Sequence, residues 1–228
     1  MNKFNIITRG YNKKTIVSDN MDNKNKNGKK PTVKKEEYAV VLDYLSRGYV
    51  KSDMSKFGGK PIAQAIGTEQ FTLLELAPKN GVDLEIQDTV YIGKGKRDKI
   101  YRVLGKLDYE NLTATSRIEL DYAIRYIVEA NEDKFVKFFN ETDALSLRLH
   151  SLELIPGIGK KYMGEIIKAR EQKPFESFED ITQRLPTLAD PAGMIVNRVK
   201  QELDTTTPRR GKNKYYLFTQ PPRGSRRR

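Results

Sequence analysis

Residues 154–161 read Leu-Ile-Pro-Gly-Ile-Gly-Lys-Lys: two glycines bracket an isoleucine, Ile155 and Pro156 precede them, and two lysines follow. Upstream, Leu145, Leu149 and Leu152 fit a helix ending near Glu153, while Met163, Ile166, Ile167 and Arg170 mark a second helix beginning at about Lys160. The spacing predicts helix, tight turn, helix. Gly157 and Gly159 permit backbone angles and close approaches that a side chain would block, Ile158 can plug the groove between the helices, and Pro156 restricts the entry. Such a turn leaves backbone N–H groups and the positive end of the second helix facing outward, where a phosphate oxygen can rest. Gly157, Ile158, Gly159, Lys160 and Lys161 are therefore candidate nucleic-acid contacts.

Thirty residues on, Leu185-Pro186-Thr187-Leu188-Ala189-Asp190 repeats the apolar-proline-x-apolar skeleton without the glycines and the lysine. Asp190 followed by Pro191 suits the cap and first position of a helix carrying Ile195, Val199 and Leu203, so a carboxylate takes the place a phosphate would want. The expected arrangement is a pair of hairpins over residues 144–205, the first binding and the second structural. In the competing reading, both only pack.

Ahead of this pair, residues 36–112 read as a helix followed by a small barrel. KEEYAVVLDYL places Tyr38, Val41, Leu42 and Leu45 on one helical face, with Gly48 as a stop. IAQAIG, FTLLELAP, DLEI, TVYIG and YRVLGKLDY are short runs rich in β-branched and aromatic residues between turn signals, and several alternate with period two, as strands do; Val82, Leu84 and Ile86 share one side. Closure into an OB-like barrel would remove the exposed edges of so small a sheet. The loop and strand of residues 93–106 are basic, so Lys94, Lys96, Arg97, Lys99 and Arg102 beside Tyr91 and Tyr101 form a candidate groove for single strands. Core packing is the alternative for both tyrosines. Residues 113–143 read as linker helices. Ser116 and Glu119 would make a capping box, Leu120, Ala123, Ile124, Ile127 and Val128 an apolar stripe, and Phe135, Phe138 and Phe139 its continuation after Asn131.

Charge separates the ends from the body. The 228 residues carry a net +12; residues 1–35 hold +8, residues 209–228 another +8, and residues 36–208 hold −4. Residues 1–35 and 206–228 read as basic arms with too few apolar residues to fold, apart from Tyr215-Tyr216-Leu217-Phe218, which could dock on the body as an edge strand. No apolar run approaches the ~18 residues of a membrane helix and the N-terminus lacks a signal-peptide core, so a cytoplasmic protein is expected.

LELIPGIGKKYMGEIIKAREQKPFESFEDI resembles a helix-hairpin-helix module, a binder of nucleic-acid backbones without sequence preference. The order EEYAVVLDYL, AQAIGTEQFTLLEL, VYIGKGKRDKI, IPGIGKK and PFESFEDI is similar to an uncharacterised archaeal family, domain of unknown function 655. That resemblance implies an OB-like part joined to a helix-hairpin-helix part, and a role near RNA, since the family's genes lie among those of translation and transcription; with the internal repeat, the expected fold is α+β, a small OB-like barrel followed by linker helices and a tandem helix-hairpin-helix. It brings no enzymatic activity.

Nor do the residues supply one. With no Cys and only His150 there is no thiolate or multi-histidine metal site, and neither catalytic residues nor a cofactor are assigned. GKGKRDK lacks the ending of a P-loop, GIGKKYMG has the wrong spacing for a dinucleotide fingerprint, and no HExxH or GxSxG occurs. The sequence thus points to a non-enzymatic nucleic-acid-binding protein, RNA favoured over DNA, with a ribosome- or polymerase-bound scaffold as the alternative. Oligomeric state is left open.

Overall fold

The computed structural model describes residues 35–49, 59–204, 206 and 215–221. The N-terminal arm and most of the tail lie outside the described residues. The fold is mixed α and β: a curled, five-stranded antiparallel sheet, a half-barrel, against five α-helices.

The strands are β1 (Tyr38–Leu45), β2 (Ile62–Gly67), β3 (Leu73–Pro78), β4 (Thr89–Tyr91) and β5 (Ile100–Lys106), in the order β4-β1-β2-β3-β5. Two expectations fail here. The stretch read as the first helix is β1. Its residues Ala39 to Leu42 are all buried because the strand is covered on both faces, Ala39 and Val41 inside the curl and Val40 and Leu42 against the helices. A strand buried on both sides gives a continuous apolar run, which satisfies helical spacing as well as it satisfies alternation. The barrel, secondly, is not closed: β4 and β5 are the two ends of the strand order, with no ladder between them among the described residues. DLEI is also no strand. Leu84 and Val82 pack into the curl, but Gln87 takes φ 70° and Asp88 N–H turns back to Glu85 O, leaving Ile86 exposed.

A polar row sets the first helix on the sheet. Asp43, Gln64 and Glu75 are partners across β1, β2 and β3. Helix α1 (Ala114–Ala130) begins above them: its cap Thr113 donates its hydroxyl to Asp43 Oδ2 at 2.6 Å and its N–H to Gln64 Oε1 at 2.9 Å. Tyr49 completes the row by donating to Glu75 at 2.6 Å, and burial followed by that bond pushes its phenol up to about 12. Thr113, which accepts from Ser116 N–H, is thus the cap in place of the expected Ser116, which is fully buried. Helix α2 (Glu132–Glu141) follows, as the phenylalanine pattern predicts.

The next helix expected, over 145–153, does not form. Two short strands, β6 (Ala144–Ser146) and β7 (Leu149–His150), make a hairpin, and one turn of 3-10 helix, Ser151–Leu154, leads into the turn. Leu145, one of the three residues of the apparent helical stripe, is exposed on this hairpin. Helices α3 (Lys160–Gln172), α4 (Phe178–Arg184) and α5 (Pro191–Leu203) complete the body, and a single apolar cluster runs from Val40 and Leu42 of the sheet to Ile195 and Val199 of α5. Among the described residues no helix is long and apolar enough to cross a membrane.

The apolar island of the tail docks, though not as a strand. Glu202 and Arg198, both buried on α5, receive it: the Glu202 carboxylate accepts from the N–H groups of Leu217, Phe218 and Thr219 at 2.7–3.0 Å and from Arg198 Nε at 2.8 Å. Arg198 donates onward to Leu154 O and Tyr215 O. Phe218 closes against Phe135 and Phe138, with ring centroids at 5.5 and 5.2 Å.

Candidate functional site

The thirty-residue repeat is visible as geometry. Ile158 N–H donates to Ile155 O at 3.0 Å, and Leu188 N–H to Leu185 O at 2.8 Å. Ile158 and Leu188 are buried plugs; Gly157, Gly159, Thr187 and Ala189 are exposed. The two units face each other reciprocally. A Cβ on Gly157 would lie 3.5 Å from Met194 of α5, and Thr187 reaches Glu165 of α3 at 3.5 Å.

The turns differ at their helix starts. Helix α5 is capped by Asp190, whose Oδ1 accepts from Gly193 N–H at 2.9 Å, while Arg125 of α1 grips the same carboxylate with two bonds of 2.9 and 3.0 Å. The Arg125 bonds, opposed by partial burial and aided by the Gly193 amide, hold the Asp190 carboxyl below its usual value. The cap position of α3 is Gly159, which has no side chain to cap with. Gly157 needs to be glycine for its backbone, at φ 90°. Gly159 does not: its φ is −90°, and a Cβ there would meet nothing within 4 Å. No demand of its own fold explains that bare position, which opens to solvent beside exposed Lys160 and Lys161.

Ahead of the first turn, His150 has a structural task. Its Nδ1 accepts from Leu152 N–H at 3.1 Å while Glu153 accepts from His150 N–H, so the imidazole caps the 3-10 turn. Burial, followed by the Arg170 cation, pushes it below the usual histidine value.

The basic loop between β4 and β5 is partly turned inward. Lys94 and Lys96 are exposed, but Arg97 donates to Gly93 O at 2.9 Å and Lys99 pairs with Asp88 at 2.7 Å. Tyr91 lies under the loop: its hydroxyl accepts from Gly95 N–H at 3.1 Å, and its ring meets that of Tyr38 edge-on at 5.2 Å. Tyr101 is 69% exposed, and Arg102 is exposed next to it on β5. The structure therefore leaves Gly157, Gly159, Lys160 and Lys161 exposed at one turn, buries Ile158 beneath them as a plug and not a surface contact, and leaves the loop residues as a looser group. The only local partner that Arg125 shows in the sequence is Glu129, four residues on; its grip on Asp190, 65 positions away, carries no local signal. Arg198 and Glu202 did carry one, as charges on the same stripe as Ile195 and Val199. Among the described residues, no cluster of three or more metal-ligating side chains occurs.

The profile of the family described as "Protein of unknown function (DUF655)" matches residues 35–220. Over 190 residues the sequence is 47% identical to the uncharacterized protein MJ0038 of Methanocaldococcus jannaschii, covering 83% of this chain and 82% of that one. The crystal structure of Af1531 from Archaeoglobus fulgidus, which carries the same family label, is similar at a TM-score of 0.73 and 42% identity, over 81% of this chain and 100% of that one.

Proposed function

The chain belongs to the DUF655 family, and from that premise we propose that it is a non-enzymatic nucleic-acid-binding protein, RNA favoured, that seats backbone phosphate on its first turn. The observation that carries the reading is Gly159, bare for no internal reason at the uncapped start of α3 while the matching start of α5 is filled by a carboxylate. Backbone amides, the positive helix end and Lys160 and Lys161 suit an anion there. The reciprocal pair of turns supports the helix-hairpin-helix resemblance, with a 3-10 turn standing as the first helix of the first unit. The basic arms supply attraction without sequence preference, and a strand in reach of Lys94, Lys96, Arg102 and Tyr101 would extend the contact along the half-barrel. Titration of the full chain with single-stranded RNA, duplex RNA and duplex DNA over a salt series tests this. With about six phosphate contacts, log K falls against log salt with a slope of about −5 on duplex DNA and about −4 on single strands. Absence of binding at low salt would refute it.

A second reading has its own observation. Ile118, Tyr122 and Tyr126 form an exposed stripe on α1, and residues 36–208 carry −4, which suits a scaffold on a ribosome or polymerase complex. Retention of all nucleic-acid affinity by the arms, with none in residues 35–208, favours that reading.

A further inference from the structure

Both ends of the described body are clasped at one place. Near the start, the Glu36 carboxylate accepts from the backbone N–H groups of Glu69, Gln70 and Thr72 at 2.7–3.1 Å, in the turn between β2 and β3. Gly67 makes the room, since a Cβ there would fall 2.1 Å from Glu36 Cδ. Near the end, the segment held by Glu202 continues to Gln220, whose amide donates to Gln70 Oε1 at 2.8 Å. The chain thus enters and leaves the described body beside the same turn. Residues 1–35, at net +8, join it there, as do residues 222–228, with four arginines and no acid.

A cleft of about 290 Å³ opens at this meeting point, lined by Gln70, Thr72, Lys106, Tyr109, Thr219 and Gln220. Leu73 and Leu107 give it an apolar floor, Asp108 adds an acceptor, and the Glu202 carboxylate, bonded to Arg198 and to the amides of Leu217, Phe218 and Thr219, lies on the lining as well. We propose that this cleft holds one nucleoside of a single-stranded nucleic acid, with the adjoining phosphate on Lys106. The inference rests on the nucleic-acid reading above and adds a second, separate site to it. Three features argue for that occupant. The walls combine an aromatic ring, amide side chains and an apolar floor, the set that reads an unstacked base. The volume suits a unit of that size and not a folded partner. The two strongly basic segments that continue the chain from these ends raise the local concentration of a polyanion. A base paired in a duplex cannot enter such a concavity, so the cleft selects single strands while the first turn, a convex backbone seat, does not.

The test titrates the full-length protein, at one moderate salt concentration, with a fluorescent twelve-residue oligouridylate and with an RNA duplex of equal length. Lys106→Glu weakens single-strand binding by about tenfold and leaves duplex binding unchanged; Lys160→Glu weakens duplex binding. Photocrosslinking of a 4-thiouridine oligomer to the wild-type protein places adducts on Tyr109 or on the peptide containing Thr219 and Gln220, which needs no variant to fold. Equal single-strand affinity for Lys106→Glu and wild type, or adducts confined to peptides outside the cleft, overturns the proposal while leaving nucleic-acid binding intact. Failure of wild type to bind either probe overturns the cleft and the parent reading together.

Discussion

The two turns are built on one plan and finished in opposite ways. In both, an apolar residue plugs the inside and a single backbone bond closes the turn. The second then satisfies its helix start from within, by Asp190, and locks that carboxylate to α1 through Arg125. The first leaves its helix start bare. A repeat that keeps its packing residues and changes only its outward ones separates what folding requires from what it does not: Ile158 and Leu188 belong to the core, whereas Gly159 and Asp190 set the fate of the α3 and α5 amides.

The largest effect tests whether the two units depend on one joint. Arg198 of α5 bonds Leu154 O, directly ahead of the first turn, and Glu202, both within the interior. Arg198→Leu leaves those acceptors short of a donor and lowers stability by about 3 kcal/mol in a denaturant titration. A variant as stable as wild type would mean that the units are held together by apolar contact alone.

Next comes the exchange of fold for affinity. Asp190→Ala removes a cap and lowers stability by about 1 kcal/mol, with no change in duplex binding. Lys160→Glu leaves the melting temperature in place and weakens duplex binding about tenfold, or ~1.4 kcal/mol. Equal binding losses in both, with normal melts, break the asymmetry. The pH dependence follows the same division. The folded-state value of Asp190 is depressed, so its stabilisation is complete above about pH 4, the unfolded carboxyl value, and is lost as pH falls below that through the folded one.

His150 divides the two units at milder pH. Its cap needs an unprotonated Nδ1, and burial together with Arg170, against the opposing pull of Asp143 and Glu153, depresses its titration. The contribution is present above about pH 6.5, the unfolded value, and disappears as pH falls through the depressed folded value. Below pH 6.5 the first unit therefore loosens while Asp190 still caps the second. His150→Asn, which keeps an acceptor that does not titrate, flattens that slope by up to about 1 kcal/mol. Hydrogen exchange at Leu152 N–H, compared with Gly193 N–H, reads the two caps separately.

What the sequence disclosed follows from range. The Asp190-Pro191 start, the plugs and α3 are local patterns, and each lies where spacing places it. Apolar periodicity misled in two places for two reasons. In β1 the run was too continuous to have a period, because both faces are buried. At residues 145–152 the stripe counted Leu145, which is exposed on β6. The open sheet, the Arg125 grip and the Glu202 clasp join residues far apart in the chain, and no local spacing encodes them. At the first turn the local spacing placed Gly157, Gly159, Lys160 and Lys161 at the surface, while Ile158, counted with them, is a core plug. The candidate site was only partly legible in the basic loop, where Tyr91, Arg97 and Lys99 turn out to serve the loop itself.

The smallest change in stability gives the sharpest comparison. Gly159→Asp rewrites the first turn in the manner of the second. Gly159 has the extended backbone of a cap, and a new Cβ meets nothing within 4 Å, so the substitution fits without strain. The carboxylate would accept from the first amides of α3, as Asp190 accepts from Gly193 N–H. Because glycine is only a few tenths of a kcal/mol poorer than aspartate as a cap, stability should rise by about 0.3 kcal/mol. Duplex binding should nevertheless fall by at least about tenfold, since an internal anion now occupies the seat and repels phosphate. Gly159→Asn separates the two causes: it caps without charge, so it should keep the gain in stability and lose less affinity. If both variants melt slightly higher and bind as wild type does, the amides of α3 do not meet the nucleic acid, and the bare turn needs another explanation.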